Sequence, residues 1–416
     1  MHSLLAKHQS AYRKGHSTET LLLRMNNDIL TSLDKGNAVL LVKLDISAAF
    51  DTVNHDMLLE RYKNYFGIDG MALKWMQSYL TDRQYSVRVG NSQSSTKTME
   101  SGFPQGSVLG GIKYNMFSAP VEELVDLHSL NGKYFADDSN LYKSIEIKNG
   151  SVLHVAEMEN CLSDICLWML KNRMKMNSDK TKVVLFLPKR EMRRFPVQSL
   201  HIKVGSDVVS LAVKTESLGV DFDCTMSMEQ FVNSKTSSAW CQIRKISRIR
   251  KKITRPIAEV LVNALVTSKL DYCNSLLCKL PQNIIKKLKR VQHAAAKIIF
   301  KARKYDHVTP LLMELHWLPI KVRSSFKVLI LTYKALHGLA PDYLRELLRD
   351  SWNLRSSHVV TLRTAALPKT KYGQRAFINL APALWNGLPS EIRASETLAV
   401  FKNKLKTHYF TECYNQ

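Results

Sequence analysis

Hydrophobic positions change their spacing several times along the chain, and each change marks an expected element. Leu22, Met25, Ile29 and Leu33 recur at helical spacing behind Ser17 or Thr18, either of which can cap a first turn, so a helix is expected over 17–33. An unbroken apolar run over 38–45 reads as a buried strand. Asn54 suits the cap of a short helix over 55–65, and Leu73, Met76 and Leu80 predict an inward-facing helix over 70–80. Residues 84–101 alternate and carry Ser, Asn and Gly, the pattern of a β-hairpin. A helix is expected over 107–127. Gly132 then opens a hairpin of 133–136 and 140–144. Val155, Leu162, Ile165, Trp168 and Met169 define an amphipathic helix over 152–172, and strands are expected at 182–187, 200–204 and 217–222.

That order over 38–222 predicts an α+β sheet with helices packed on one face. After 225 the pattern turns mostly helical. Pro256 fits the first position of a helix over 256–268. A further helix over 282–300 carries two stripes. Ile285, Leu288, Val291, Ala295 and Ile298 form the apolar one; Lys286, Arg290, His293 and Lys297 form the cationic one. Such a helix can dock by one side and track a phosphate backbone with the other, although an ordinary surface helix has the same pattern. Residues 303–416 are rich in aromatics and prolines. There Trp317 and Trp385 read more readily as core anchors than as base-stacking platforms.

Composition narrows the class. The 416 residues leave room for two or three packed units, and a hydrophobic fraction of 45% is ordinary for a globular chain. No apolar stretch reaches the roughly 18–20 residues of a membrane span, and the N-terminus has no apolar core of secretory length. An intracellular protein without a membrane partner is expected. Seven scattered cysteines, with two C-x4-C pairs outside zinc-knuckle spacing, predict reduced thiols and no structural zinc. The net charge of +24 favours a polyanionic partner. Between Arg244 and Lys304 stand 17 Lys and Arg against 2 acids.

The chemistry is carried by acids. Two adjacent carboxylates close Tyr134-Phe135-Ala136-Asp137-Asp138, and the apolar run Val39–Leu44 ends on Asp45. Hard divalent ions take oxygen ligands, and two such ions about 3.5–4 Å apart can activate an attacking 3′-hydroxyl and stabilise a leaving pyrophosphate. Asp45 at a strand end and Asp137 at a hairpin turn can meet across neighbouring strands. Successive residues of an extended chain point to opposite sides, so Asp137 takes the primary metal role and Asp138 a supporting one, with the Ile46 carbonyl as a further ligand. Alone, the Asp pair fits a solvated turn better than a metal site, and Asp45 or Asp51 fits a cap equally well.

The string Val42-Lys43-Leu44-Asp45-Ile46-Ser47-Ala48-Ala49-Phe50-Asp51-Thr52-Val53-Asn54-His55 resembles the first catalytic motif of reverse transcriptases from non-LTR, LINE-type retrotransposons of the jockey-like kind. Ser101-Gly102-Phe103-Pro104-Gln105-Gly106-Ser107-Val108-Leu109-Gly110 resembles their Pro-Gln-Gly motif, and Phe135-Ala136-Asp137-Asp138 their aromatic-Ala-Asp-Asp box. Residues 9–18 are similar to the fingers motif upstream, 177–182 and 217–220 to the two later palm motifs. The likeness runs on through 269–277, 315–319 and 384–389.

The resemblance implies a right-hand polymerase: partial fingers and palm over 1–225, a basic helical thumb over 226–302 and a C-terminal region of unknown role over 303–416. It implies an RNA-directed DNA polymerase that extends a DNA primer on an RNA template with dNTPs, using two magnesium ions or manganese in their place. Asp45, Asp137, Asp138 and Lys180 would be catalytic, with Lys180 protonating pyrophosphate. Arg13 and Lys14 would grip the triphosphate. Phe50 would gate the sugar, and Gln105 and Gly106 would meet the incoming nucleotide. Leu218 and Gly219 would support the primer end, while Lys286, Arg290 and Lys297 would hold template and primer by their phosphates. A nuclear or cytoplasmic ribonucleoprotein is the expected setting.

Three departures stand out. Gly111, Ile112 and Lys113 replace the usual proline and apolar residues, and Phe103 replaces a smaller valine. Lys113 falls on an inward-packing helix, from which its stem could snorkel. The chain also begins inside the fingers pattern, so an N-terminally truncated polyprotein is expected. The alternative function is a catalytically inactive remnant that only binds nucleic acid.

Overall fold

The computed structural model describes residues 5–47, 49–104, 106–147, 155–192, 200–350, 361–364 and 367–414. The chain divides into two compact units. The first comprises residues up to Lys14, Val39–Leu185 and Arg190–Val213; the second comprises Gly15–Ala38, Phe186–Lys189 and Lys214 onward.

The first unit is built on a four-stranded sheet in the order Lys182–Phe186, Ala38–Leu44, Asp138–Ile145, Asn131–Phe135. The apolar run of the second of these is buried from Ala38 through Val42, as a strand flanked on both edges requires. Asn131–Phe135 and Asp138–Ile145 pair antiparallel, with Phe135 opposite Asp138, so the loop between them is only Ala136 and Asp137. Helix Ala156–Lys171 buries Met158, Cys161, Leu162, Ile165 and Met169 and packs on helix Pro120–Leu127. The expected hairpin over 84–101 is present as nested pairs, Gln84–Tyr85 with Lys97–Thr98 and Arg88–Val89 with Ser92–Gln93. Asn54 caps helix His55–Asn64 by accepting from the Met57 amide at 3.0 Å.

Two expectations in this unit need correcting. The helix expected over 107–127 is two helices, Gly110–Ser118 and Pro120–Leu127. Proline supplies no N–H to continue the first and is at home in the first turn of the second. Helix Gly70–Leu80 buries only Leu80 and leaves Met71 and Trp75 exposed, with Leu73 and Met76 half-buried.

The second unit is mainly helical. Helix Thr18–Asp34 begins with a capping box at Ser17 and buries Leu21, Leu22, Leu23, Met25, Ile29, Leu30 and Leu33. It packs on helix Phe377–Asn386 and the turn Gly373–Arg375, and Asp34 accepts from the amides of Lys369 and Thr370. Helix Glu229–Ile249 lies along helix Gln282–Phe300, which buries Ile285, Leu288, Val291 and Ala295 and leaves Lys286 and Arg290 exposed. Trp385 is buried against Phe401, as a core anchor should be.

Here too the structure departs from the pattern twice. Residues 217–222 are not one strand. Lys214–Ser217 pairs with Val220–Asp223, and Leu218 and Gly219 turn between them with φ of 49° and 74°. The helix expected over 256–268 starts at Arg255, passes through a π-turn at Asn263–Thr267 and ends at Asp271. All seven cysteines are free thiols. No described helix is long and apolar enough to cross a membrane.

Candidate active site

The first unit gathers its acids at one end of the sheet. Asp45 follows strand Ala38–Leu44 directly, and Asp137 forms half of the two-residue loop beside it. The loop is held from outside. Gln9 accepts from the Ala136 amide at 2.9 Å and donates to the Ala136 carbonyl at 3.1 Å, while Ser10 donates to the Tyr134 carbonyl at 2.9 Å. That clamp holds Ala136 at a φ of 56°, which an alanine adopts only under constraint. Gln9 is a positioning residue that the sequence pattern did not single out; its sole signal there was its place in the quoted fingers motif.

Asp137 is half-buried, and its carboxyl titrates above the usual carboxylate range. Burial is the main cause. The charges of Asp138 and Asp45 push the same way, while Lys43 opposes them. Lys43 leaves the strand two residues before Asp45 and pairs with Asp138 Oδ1 at 2.9 Å. It too was missed, although alternation along the strand puts residues 43 and 45 on one face. Lys180 brings its ammonium to 3.9 Å from Asp45 Oδ2. Its loop is tied to the same place, because the Asn177 amide donates to the Asp45 carbonyl at 2.9 Å and Ile46 pairs with Met176. The structure therefore brings Asp45, Ile46, Asp137, Asp138 and Lys180 together.

Phe50 stacks on Tyr114, with ring centroids 4.7 Å apart. Tyr114 is buried, and both burial and the Asp137 charge push its hydroxyl pKa up. The segment before the Pro-Gln-Gly motif is laced to the same stretch of chain. Gly102 donates to the Val53 carbonyl at 2.8 Å, Ser101 Oγ to the Asp51 carbonyl at 2.9 Å, and His55 Nε2 lies 2.8 Å from the Gly102 carbonyl. A Cβ at Gly102, whose φ is 79°, would fall 2.7 Å from the Asp51 Cα, so only glycine permits that approach. Gln105 lies outside the described residues. Gly106 has a φ of 84° and open space where a side chain would be.

Arg13 half-buries itself against its own loop, its Nη1 donating to the carbonyls of Ala6 at 2.8 Å and Gln9 at 3.0 Å. Lys14 is exposed. Lys113 does not snorkel. It is 1% exposed, with Nζ 3.2 Å from the centre of the Tyr79 ring and no hydrogen-bond partner among the described residues. Burial first, and then Arg83, lower its pKa to about 8. The neighbouring Gly111 lies under the Tyr12 ring, where a Cβ would overlap the ring atoms.

In the second unit, Leu218 and Gly219 form their turn with the Leu218 carbonyl accepting from the Tyr272 hydroxyl at 2.5 Å. Lys286, Arg290 and Lys297 belong to that unit's helix Gln282–Phe300.

The Asp137 carboxylate is partly desolvated and is repelled by the charges of Asp138 and Asp45. Among the described residues no three His, Cys, Asp or Glu side chains form a group that could hold a metal ion. Magnesium keeps waters and substrate phosphates in its shell and so draws on few protein ligands.

The chain is similar to known proteins. The reverse transcriptase (RNA-dependent DNA polymerase) family profile matches residues 1–222. The probable RNA-directed DNA polymerase from transposon BS of Drosophila melanogaster is 33% identical over 248 residues, 58% of this chain and 26% of that protein. The RNA-directed DNA polymerase from mobile element jockey of Drosophila funebris is 27% identical over 249 residues, again 58% and 26%. The chain thus spans about a quarter of the length of these relatives. Apo telomerase from Candida tropicalis is a remote structural likeness, with a TM-score of 0.42 and 12% identity over 76% of this chain and 52% of that one. The sequence match over more than half of its length shows that this chain belongs to the reverse transcriptase family, with relatives among the polymerases of non-LTR retrotransposons.

Proposed function

We propose that the first unit carries the polymerase centre of an RNA-directed DNA polymerase that extends a DNA primer on an RNA template with dNTPs. The observation that supports this most is Asp137, half-buried in a clamped two-residue loop and crowded by the charges of Asp45 and Asp138.

Asp45 and Asp137 would hold two magnesium ions, with Asp138 and the Ile46 carbonyl in support. When bound, such ions acidify the primer's 3′-hydroxyl and offset charge on the departing pyrophosphate. The remaining work falls to the protein's own groups. Gln9 fixes the loop so that the Asp137 carboxylate need not reorganise during the reaction. Lys43 holds Asp138 aside. Lys180, 70% exposed and tethered beside Asp45, is placed to give a proton to the leaving oxygen. The Phe50 ring, supported by Tyr114, would press on the sugar's C2′ and discriminate against a ribose hydroxyl. Lys14 and the remaining nitrogens of Arg13 would meet the triphosphate, and Gln105 and Gly106 the incoming nucleotide. In the second unit, the turn at Leu218 and Gly219 would support the primer end, and Lys286, Arg290 and Lys297 would hold the duplex by its phosphates. The net charge of +24 supports residence in a ribonucleoprotein, nuclear or cytoplasmic.

The test is primer extension by the purified chain on a primed RNA template with dNTPs and magnesium. Extension that Asp137→Asn abolishes supports the proposal. RNA binding without extension, unchanged by Asp137→Asn, would leave only the nucleic-acid-binding remnant.

A further inference from the structure

Tyr12 occupies a place that the proposed mechanism does not use. Its φ of 58° is one that a tyrosine rarely holds without supporting contacts, and such outliers cluster at functional sites. The supporting contacts lie on both sides of it. The Ala11 amide donates to Gln9 Oε1 at 3.1 Å, and Asn115 Nδ2 donates to the Ala11 carbonyl at 2.9 Å. Arg13, the next residue, is tied through Nη1 to the carbonyls of Ala6 and Gln9. Gln9 Oε1 is also the atom that accepts from the Ala136 amide. One carboxamide therefore fixes both the loop that carries Asp137 and the segment that carries Tyr12.

The ring is held as well as the backbone, yet it is 59% exposed. It lies on Gly111 in the first turn of helix Gly110–Ser118, where any Cβ would overlap its atoms. Tyr114 stands three residues on from Gly111 and so on the same face of that helix. Helical side chains lean toward the N-terminus, which brings Tyr114 back toward Gly111. Tyr114 in turn stacks on Phe50. The Tyr12 ring thus sits about one helical turn from the pair of rings to which the sugar of the incoming nucleotide is assigned.

A sugar and its base are neighbouring parts of one molecule. An exposed aromatic face at that separation suits the base, because every base has a π-face to stack with. A ring already held in place also has little freedom left to lose when a base stacks on it.

We infer that Tyr12 is a stacking platform for the base of the incoming nucleotide, beside the Phe50 ring that takes its sugar. The inference rests on the polymerase reading proposed above.

The test uses the full chain on a primed RNA template with magnesium. Single-nucleotide addition gives kcat and KM for each of the four dNTPs, and a dideoxy-terminated primer gives the equilibrium affinity for the next dNTP without chemistry. Tyr12→Ala is expected to raise KM about tenfold for all four dNTPs, since stacking tolerates any base, and to leave kcat within about twofold. Tyr12→Phe should keep the parent values. Gly111→Ala is the second variant. Alanine suits a helix better than glycine, so the chain should fold, but the added Cβ displaces the ring and should raise KM likewise. In the Tyr12→Ala background the same substitution should add nothing. Unchanged KM in Tyr12→Ala would overturn the platform and leave the polymerase reading intact. Weaker binding of the primed template with unchanged affinity for dNTP would put the ring on the template strand and overturn it too. A parent that binds dNTP without extending, and loses that affinity in Tyr12→Ala, would support the platform while sinking the polymerase reading. A parent that binds no dNTP would overturn both.

Discussion

The acidic corner of the first unit and the turn at Arg375 in the second both bury charge, yet they resolve it differently. At the corner, counter-charges are built in. Lys43 pairs with Asp138, Lys180 stands beside Asp45, and only Asp137 is left with a net penalty from burial and like charge. At the turn, the nearby acid is committed elsewhere, Asp223 accepting from Thr225 and Ser227 of its own loop. The first arrangement leaves one carboxylate whose charge its surroundings oppose. The second leaves part of a guanidinium buried without a hydrogen-bond partner among the described residues. The lesson is that the cost of a buried charge depends on which partners the fold gives it, rather than on how many charges stand nearby.

That contrast can be broken first at Asp137. Asp137→Asn should cut primer extension by about a thousandfold while leaving RNA affinity unchanged, because it removes a charge that acts only on the reacting groups. Equal activity in the variant would end the comparison. Gln9→Leu should follow, lowering kcat by about ten- to a hundredfold with little change in KM, since a loop misplaced by about an ångström spoils alignment rather than binding. A loss confined to KM would show that Gln9 does not position Asp137.

The pH dependence sharpens the same point. The Asp137 carboxyl titrates above its ordinary 3.8, so its contribution to stability is present below that value and is lost as pH rises through the folded value. At neutral pH the ionised group is a cost. Asp137→Asn should therefore raise the melting temperature of the metal-free chain by about 1–3 °C. Stabilisation of the parent by magnesium should grow as pH rises through the same window. A variant that melts lower without metal would mean the carboxylate is already satisfied.

The smallest effect concerns Lys113, a buried cation with an aromatic ring as its partner. Its pKa is lowered from 10.5 to about 8, so the chain should gain stability as pH rises between these values, where the unfolded state binds the extra proton. Lys113→Met should remove that slope, read by melting curves across the interval. If the slope survives, another group produces it.

Much of the site was legible because its chemistry is local. Asp45 terminates an apolar run, Asp137 and Asp138 sit between two alternating stretches, and each of these is a short-range pattern. Periodicity misleads where one residue overrides a long pattern. Pro120 splits a helix that periodicity alone would continue, and the turn at Leu218 and Gly219 bisects an apolar stretch that reads as one strand. The partners of the acids were harder to see. Gln9 stands more than a hundred residues from Ala136, and nothing in either segment announces a hydrogen bond to the other.

Periodicity and side-chain type were enough to give the α+β pattern of the first unit, the helical character of the second, the basic excess and the positions of the acids. Which charges have partners follows from the fold alone. Pairing depends on distances between residues remote in the chain, and the cost of a charge depends on how much water its surroundings exclude. For that reason the cost that burial imposes on Asp137 and Lys113, and the unpartnered nitrogens of Arg375, become visible only once the chain has folded.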